Sequence, residues 1–168
     1  AKVLTYDGKD YYRDGTTVTI TVTVPSGNVL NSLTVTDGSS NTVAEGFWYS
    51  NNTVSFALPA NNVIVSAPTF TSDLTSLYIN MPKTGTVNAT IPSGVQSFKV
   101  YDDGGSTASY SKRCKGTLIL TAPDNKILKI SGAVDVSWRW HQLKVWDGEE
   151  DTDNQIVVAN SNFVPAYT

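Results

Sequence analysis

The sequence is poor in the residues on which disulfides, metal centres and nucleophilic catalysis depend. Its 168 residues include one cysteine, one histidine and one methionine. Cys114 therefore has no partner for a disulfide within the chain, and a lone histidine gives little support to nucleophilic catalysis or to a zinc site. No G-x-S-x-G motif is present. We expect no enzymatic activity, although a pair of carboxylates assembled in space is an arrangement that sequence leaves open.

The lone cysteine has three cationic neighbours, Lys112, Arg113 and Lys115. Nearby positive charge lowers the pKa of a thiol and makes it more reactive. The only histidine lies far along the chain, however, with no evident pairing to this cysteine. We therefore expect Cys114 to be a packing or exposed residue and not a nucleophile.

Charge and long apolar runs are also scarce. Charged residues make up 16% of the chain, and 12 Lys+Arg against 15 Asp+Glu give a net charge of -3. This balance does not attract a phosphate backbone strongly, so nucleic acid is not an expected partner. No run approaches the roughly 20 apolar residues of a membrane-spanning helix, and the first residues, AKVLTYDGKD, lack the apolar core of a secretion signal. We expect no membrane insertion.

The pattern that is present belongs to β-strands. In TTVTITVTV, which covers residues 16–24, threonine alternates with valine or isoleucine. This period of two predicts a half-buried strand with one apolar face and one hydroxyl face. The segment at 31–38 repeats the alternation and ends in an Asp-Gly turn, and no window shows a helical period of 3.6. The predicted fold class is all-β.

The spacing of the strands predicts two modules. A first series ends at Phe70, and a second opens with TVNATIPSGVQSFKVYDDGG. We place a small β module at residues 1–70 and a second β module at 74–168, joined by a linker near 71–73. In the second module, strand-like runs such as GTLILTAP and NQIVVAN are separated by turn residues at the spacing of a sandwich.

The first module carries two motifs, VTVPSGNVLNSLTVTDGSSN and NTVSFALPANNVIVSAPTF. From about Gly15 to Phe70 these motifs resemble the internalin B-repeat and related β repeats of bacterial secreted and surface proteins. The resemblance implies a spacer or adhesion module without catalysis. The residues that carry it are Pro25, Gly27, Leu30, Leu33, Val35, Asp37, Phe56, Leu58, Pro59, Val63, Val65 and Phe70.

The second module carries SFKVYDDGGSTASYSKRCKGTLILTAPDNKILKISG and WHQLKVWDG. From Thr86 onward these motifs resemble a bacterial CUB-like domain. The resemblance implies an antiparallel β-sandwich, extracellular or at the cell surface, that binds glycans or proteins, often through calcium. It also implies further strands beyond NSNFVPAYT, so we expect the sandwich to lack its last strands and to have an open edge that another strand fills.

The segment WRWHQLKVWDG places three tryptophans close together. Alternation puts Trp138, Trp140 and Trp146 on one face of an unbroken strand, opposite Leu143 and Val145. The aliphatic face is the better core face, so the three rings are candidates for stacking on a sugar or on a partner protein. The alternative is that a bulge, or cover from the other module, buries one or more of the rings.

Two acidic turns are candidates for a calcium site. The segment DGEEDTD and the turn YDDGG both follow a strand that ends in Lys-Val-aromatic-Asp. Calcium prefers several oxygen ligands, which dense carboxylates supply. The alternative is that both segments are solvated hairpin turns. The candidate ligands are Asp102, Asp147, Glu149, Asp151 and Asp153.

We therefore expect a non-catalytic binding or adhesion module that recognises a glycan or an extracellular protein, with calcium as the one cofactor under consideration. The alternative is a structural subunit or spacer that assembles into a filament by strand exchange between chains. The strands that would join neighbouring copies are the N-terminal segment at 1–14 and the run Ile156-Val157-Val158.

Overall fold

The structure is a computed structural model that describes residues 2–132, 142–148 and 155–159. These residues form strands and no helix, which confirms the predicted all-β class. In particular, none of them forms a helix long and apolar enough to cross a membrane. The chain divides into two compact units, Ala1–Lys126 and Ile127–Thr168. The predicted linker at 71–73 lies inside the first unit, and the division near residue 70 stays a prediction.

The described part of the first unit contains twelve strands. They are β1 (Lys2–Tyr6), β2 (Lys9–Tyr12), β3 (Thr17–Thr21), β4 (Val29–Asp37), β5 (Thr42–Gly46), β6 (Thr53–Ala57), β7 (Val63–Val65), β8 (Thr69–Thr71), β9 (Tyr78–Asn80), β10 (Thr84–Thr90), β11 (Lys99–Tyr101) and β12 (Lys115–Thr121). The described strands of the second unit, β13 (Leu143–Trp146) and β14 (Gln155–Ala159), form an antiparallel pair.

Strands β3 to β8 form antiparallel sheets around an apolar core. Strand β4 pairs with β5, β7 and β8, and β3 pairs with β6. The alternation in β3 is confirmed, since Val18 and Ile20 pack against this core while the threonines between them are exposed. One of these threonines, Thr19, has its Oγ1 2.7 Å from Ser55 Oγ on β6. The buried residues of the core are Leu30, Leu33, Val35, Val54 and Phe56.

Strands β9 to β12 pair in parallel, which differs from the antiparallel sandwich that the CUB-like resemblance implies. Strand β9 pairs with β11, and β10 pairs with β12. A parallel pair needs a crossover connection. Here the connection between the strands of each pair contains a strand of the other pair, because the four strands alternate along the chain.

A second core lies beneath these parallel pairs. Its buried residues come from both sides of the predicted linker, since Val29 and Trp48 pack with residues that follow position 74. The first unit therefore has a continuous apolar contact between the strands before and after residue 71. The later members of this core are Leu77, Ile79, Ala89, Ile91 and Val95.

Both segments proposed as intermolecular joints pair within the chain. Strand β1 pairs with β2 as an antiparallel hairpin inside the N-terminal segment. The predicted strand character of Ile156-Val157-Val158 is confirmed, because these residues lie in β14 and pair with β13. Assembly between chains stays a prediction.

Candidate functional site

The β9–β11 pair presents a small mixed face of aromatic and polar side chains. Tyr78 and Asn80 lie on β9, and Lys99 and Tyr101 lie opposite them on β11, in the register Lys99 to Tyr78 and Tyr101 to Asn80. Residues two apart on a strand share a face, so these four side chains lie on the same side of the sheet. We call them the tyrosine face.

The opposite side of β9 fixes this face to the core. Ile79 has no exposed surface and lies in the core cluster, so its neighbours Tyr78 and Asn80 are directed outward. The strand ends are held by backbone hydrogen bonds, with the Lys99 N–H donating to Leu77 O at 3.0 Å and the Met81 N–H donating to Tyr101 O at 2.8 Å. The four residues are therefore placed by a pair of hydrogen-bonded strands and not by a loop.

Two phenol rings dominate the tyrosine face. Tyr78 is 54% exposed although it lies on a strand that contributes to a core. The rings of Tyr78 and Tyr101 lie with centroids 5.9 Å apart and an interplanar angle of 62°. This edge-to-face contact lies within the range that aromatic pairs prefer, and it limits the orientations of both rings. The face therefore offers partly ordered aromatic surface to solvent.

A buried tryptophan supports the face through a hydrogen bond to the backbone of β9. Trp48 is 5% exposed, and its indole N–H donates to Tyr78 O at 3.0 Å. The indole also makes edge contacts with Tyr49 (5.4 Å between centroids, 88°) and Phe98 (5.3 Å, 63°). Phe47 stacks on Tyr49 at 5.5 Å and 20°. Four further aromatic residues thus form a packed base next to Tyr78.

The phenol of Tyr49 is protonated at neutral pH. Burial raises the pKa of Tyr49, and the negative charge of Glu45 and the neighbouring Tyr78 raise it further. Because all three causes disfavour the phenolate, Tyr49 keeps its O–H. At this edge of the aromatic base it is a hydrogen-bond donor and acceptor without charge.

The turn YDDGG follows β11 and lies beside Asn80. The Gly104 N–H donates to Asp102 Oδ1 at 2.8 Å, and the Gly105 N–H donates to Asp102 O at 3.1 Å. Gly105 has a positive φ of 74°, and a Cβ at this position would lie 3.5 Å from Asn80 Nδ2. Asp102, one of the candidate calcium ligands, therefore closes this tight turn through its own carboxylate.

The next carboxylate, Asp103, ties the same turn to the following loop. The Ser111 N–H donates to Asp103 Oδ1 at 3.0 Å. Hydrogen bonds from the Ser111 side chain and backbone lower the pKa of Asp103, outweighing the small opposing effect of burial. Both carboxylates of this turn are thus hydrogen-bonded to the protein.

Most of the calcium ligands and tryptophans predicted from sequence lie outside the described residues. Trp138, Trp140, Glu149, Asp151 and Asp153 belong to this group. Trp146 ends β13 and is half-buried, after a register irregularity between Val145 and Trp146, and Asp147 is exposed. Asp102 and Asp147 belong to different units. Within the described ranges, no three His, Cys, Asp or Glu residues form a group that could hold a metal ion, and Cys114 is exposed.

The sequence did not predict the tyrosine face or the aromatic base next to it. The aromatic run Phe47-Trp48-Tyr49 lies in a turn segment, and Tyr78 lies in a strand of three residues. Two signals were available: three adjacent aromatic residues, and the alternation of Leu77, Ile79 and Met81 with Tyr78 and Asn80. Neither indicates that the two segments meet.

Comparison with known proteins gives no relative for this chain. No family model, no curated protein and no solved structure matches it.

Proposed function

We propose that this chain is a non-catalytic carbohydrate-binding module that holds a polysaccharide on the tyrosine face. The observation that carries the proposal is the contact between the exposed ring of Tyr78 and the half-buried ring of Tyr101, fixed to the core through Trp48 and flanked by Asn80 and Lys99. Aromatic surface that is exposed and ordered at once is characteristic of binding sites. In keeping with the internalin-like and CUB-like motifs, the module would belong to a bacterial secreted or surface protein.

The chemistry of the four side chains suits a sugar. The C–H groups on one side of a sugar ring pack on an aromatic ring, and sugar hydroxyls accept and donate hydrogen bonds. Asn80 supplies both an amide donor and an acceptor, Lys99 supplies donors, and the phenols of Tyr78 and Tyr101 do both. An apolar surface with a few polar groups at its rim combines affinity with orientation.

The angle between the two phenols favours an extended ligand. Because the rings are inclined by 62°, they do not form one flat surface. A single sugar ring can lie flat on only one of them, so Tyr78 and Tyr101 would contact different residues of a chain. A polysaccharide fits this arrangement better than a free monosaccharide.

Affinity gel electrophoresis tests the proposal with soluble neutral polysaccharides: arabinoxylan, mixed-linkage β-glucan and galactomannan. The wild-type chain should be retarded by at least one of them, and Tyr78→Ala and Tyr101→Ala should each weaken binding by about 1–3 kcal/mol, the scale of an aromatic anchor. Since Tyr78 is 54% exposed, its loss should change the melting temperature little.

Tyr12→Ala is the matched control, because Tyr12 is 52% exposed but lies on β2, outside the tyrosine face. It should bind as the wild type does. Equal weakening by the control would show that retardation reflects exposed tyrosine in general. Absence of retardation by all three polysaccharides would also contradict the proposal.

A further inference from the structure

A cleft of about 300 Å³, lined by polar and apolar residues alike, lies where the parallel strands β10 and β12 end. Because these strands run in the same direction, the chain leaves both of them at one edge of the pair, and residues of both following loops line the cleft. The polar residues that line it are Asn51, Asn52, Thr90, Ser93, Thr121 and Asp124.

Three closed turns form the walls of the cleft. The Thr53 N–H donates to Ser50 O at 3.0 Å, the Val95 N–H to Pro92 O at 3.0 Å, and the Lys126 N–H to Pro123 O at 3.0 Å. A further bond, from the Ile91 N–H to Thr121 O at 3.0 Å, joins the two strand ends. The walls are therefore fixed by backbone hydrogen bonds, which lowers the entropy lost when a ligand binds.

The first wall exposes two adjacent amides. Asn51 and Asn52 have positive φ angles of 50° and 56°, the conformation of the central residues of a type I′ turn. The side chains of Asn51, Asn52, Thr90 and Thr121 make no hydrogen bond to another described residue. Their donors and acceptors are therefore available to a ligand.

The character of the lining narrows the ligand class. No lysine or arginine lines the cleft, and the carboxylate of Asp124 would repel an anion. A purely apolar ligand would leave the amides and hydroxyls without partners, which is costly. A neutral ligand rich in hydroxyls satisfies both conditions, and Pro92 and Pro123 give its C–H groups apolar contacts.

We infer that this cleft is a second saccharide subsite, which holds a single neutral sugar residue between the Asn51-Asn52 turn and the ends of β10 and β12. At about 300 Å³ its size is at the lower end of the range for ligand pockets, as expected for one sugar ring. The subsite shares no residue with the tyrosine face, so either can exist without the other.

The test is a titration of the full ¹⁵N-labelled chain with methyl glycosides of glucose, mannose, galactose and xylose, followed by amide chemical shifts. A single sugar ring with few hydrogen bonds should bind with a dissociation constant in the millimolar range. The expected result is a saturable shift of the Ser93, Thr121 and Asp124 amides with at least one glycoside.

Asn51→Gly and Asn52→Gly remove one amide each without straining the turn, because glycine adopts positive φ freely. Each should weaken binding about fivefold, the effect of one lost hydrogen bond. Ser40→Gly is the control, since Ser40 also has a positive φ, 65°, but lies in a turn outside the cleft. It should bind as the wild type does.

The outcomes separate this inference from the proposed function. Shifts confined to Tyr78 and Tyr101 would overturn the second subsite while supporting the tyrosine face, and shifts at the cleft that persist in Tyr78→Ala would support the subsite independently. Absence of any saturable shift at the cleft, or unchanged affinity in both asparagine variants, would overturn it.

Discussion

Replacing Trp48 by phenylalanine should loosen both the second core, to which Trp48 belongs, and the tyrosine face. A buried tryptophan removes about 200 Å² from water, which corresponds to about 5 kcal/mol at 25 cal/mol per Å². Phenylalanine keeps most of that contact but loses the N–H that donates to Tyr78 O at 3.0 Å. The lost hydrogen bond and the smaller ring together should lower the free energy of unfolding by about 2 kcal/mol, and Trp48→Ala by about 4 kcal/mol.

Urea unfolding measured by the amide cross-peaks of Ile79 and Ala89 reports on this core, because both residues are almost fully buried in it. With a slope of about 2 kcal/mol per M, Trp48→Phe should lower the midpoint by about 1 M. Phe98→Leu is the control, since it removes an aromatic contact with the indole and leaves the hydrogen bond. The Phe98→Leu variant should bind polysaccharide as tightly as the wild type does, whereas Trp48→Phe should bind it more weakly. If the free energy of unfolding of Trp48→Phe lies within about 0.5 kcal/mol of the wild-type value, the predicted role of the Trp48 indole in this core is wrong.

Two further predictions concern packing and pH. Gly116→Ala should lower the free energy of unfolding by about 1–3 kcal/mol, because the added Cβ would collide with the backbone carbonyl of Pro82, which cannot move aside as a side chain can. Gly94→Ala is the control and should leave the stability unchanged, because its Cβ would meet its nearest neighbour at 4.0 Å. If Gly116→Ala and Gly94→Ala had the same melting temperature, the close approach of Gly116 to Pro82 would be contradicted. Hydrogen bonds from the Asn41 side chain and backbone, and then from Ser39, lower the pKa of Asp37 below its ordinary value of 3.8. The stabilisation is therefore present above that value and lost as pH falls through the folded-state pKa, so Asp37→Asn should flatten the acid limb of a thermal-denaturation profile, and an unchanged limb would contradict it.

The strands could be read from the sequence because alternation is a local property. TTVTITVTV has one apolar and one hydroxyl face whatever it pairs with, and β3 follows it. The direction of pairing is a different matter. The alternation in GTLILTAP is the same for a parallel and an antiparallel neighbour, so the parallel pairing of β10 with β12 was not accessible from it.

The candidate sites show the same limit. The candidates that the sequence indicates are residues concentrated along the chain, such as the tryptophans of WRWHQLKVWDG and the carboxylates of DGEEDTD. The tyrosine face instead brings together Tyr78 and Tyr101 from two strands, and Trp48 reaches Tyr78 across 30 positions of sequence. Contacts of this range depend on how the chain crosses between strands.

The sequence by itself therefore determined that the chain forms strands, which residues of a strand such as β3 face a core, and where tight turns such as Asp37-Gly38 occur, because each of these depends on near neighbours. Only the tertiary structure decided that β9 and β11 run in parallel and that the Trp48 indole meets the backbone of Tyr78. It also decided that Asn51 faces the ends of β10 and β12. Those placements follow from burying the apolar faces of distant strands in a common core, which no local pattern specifies.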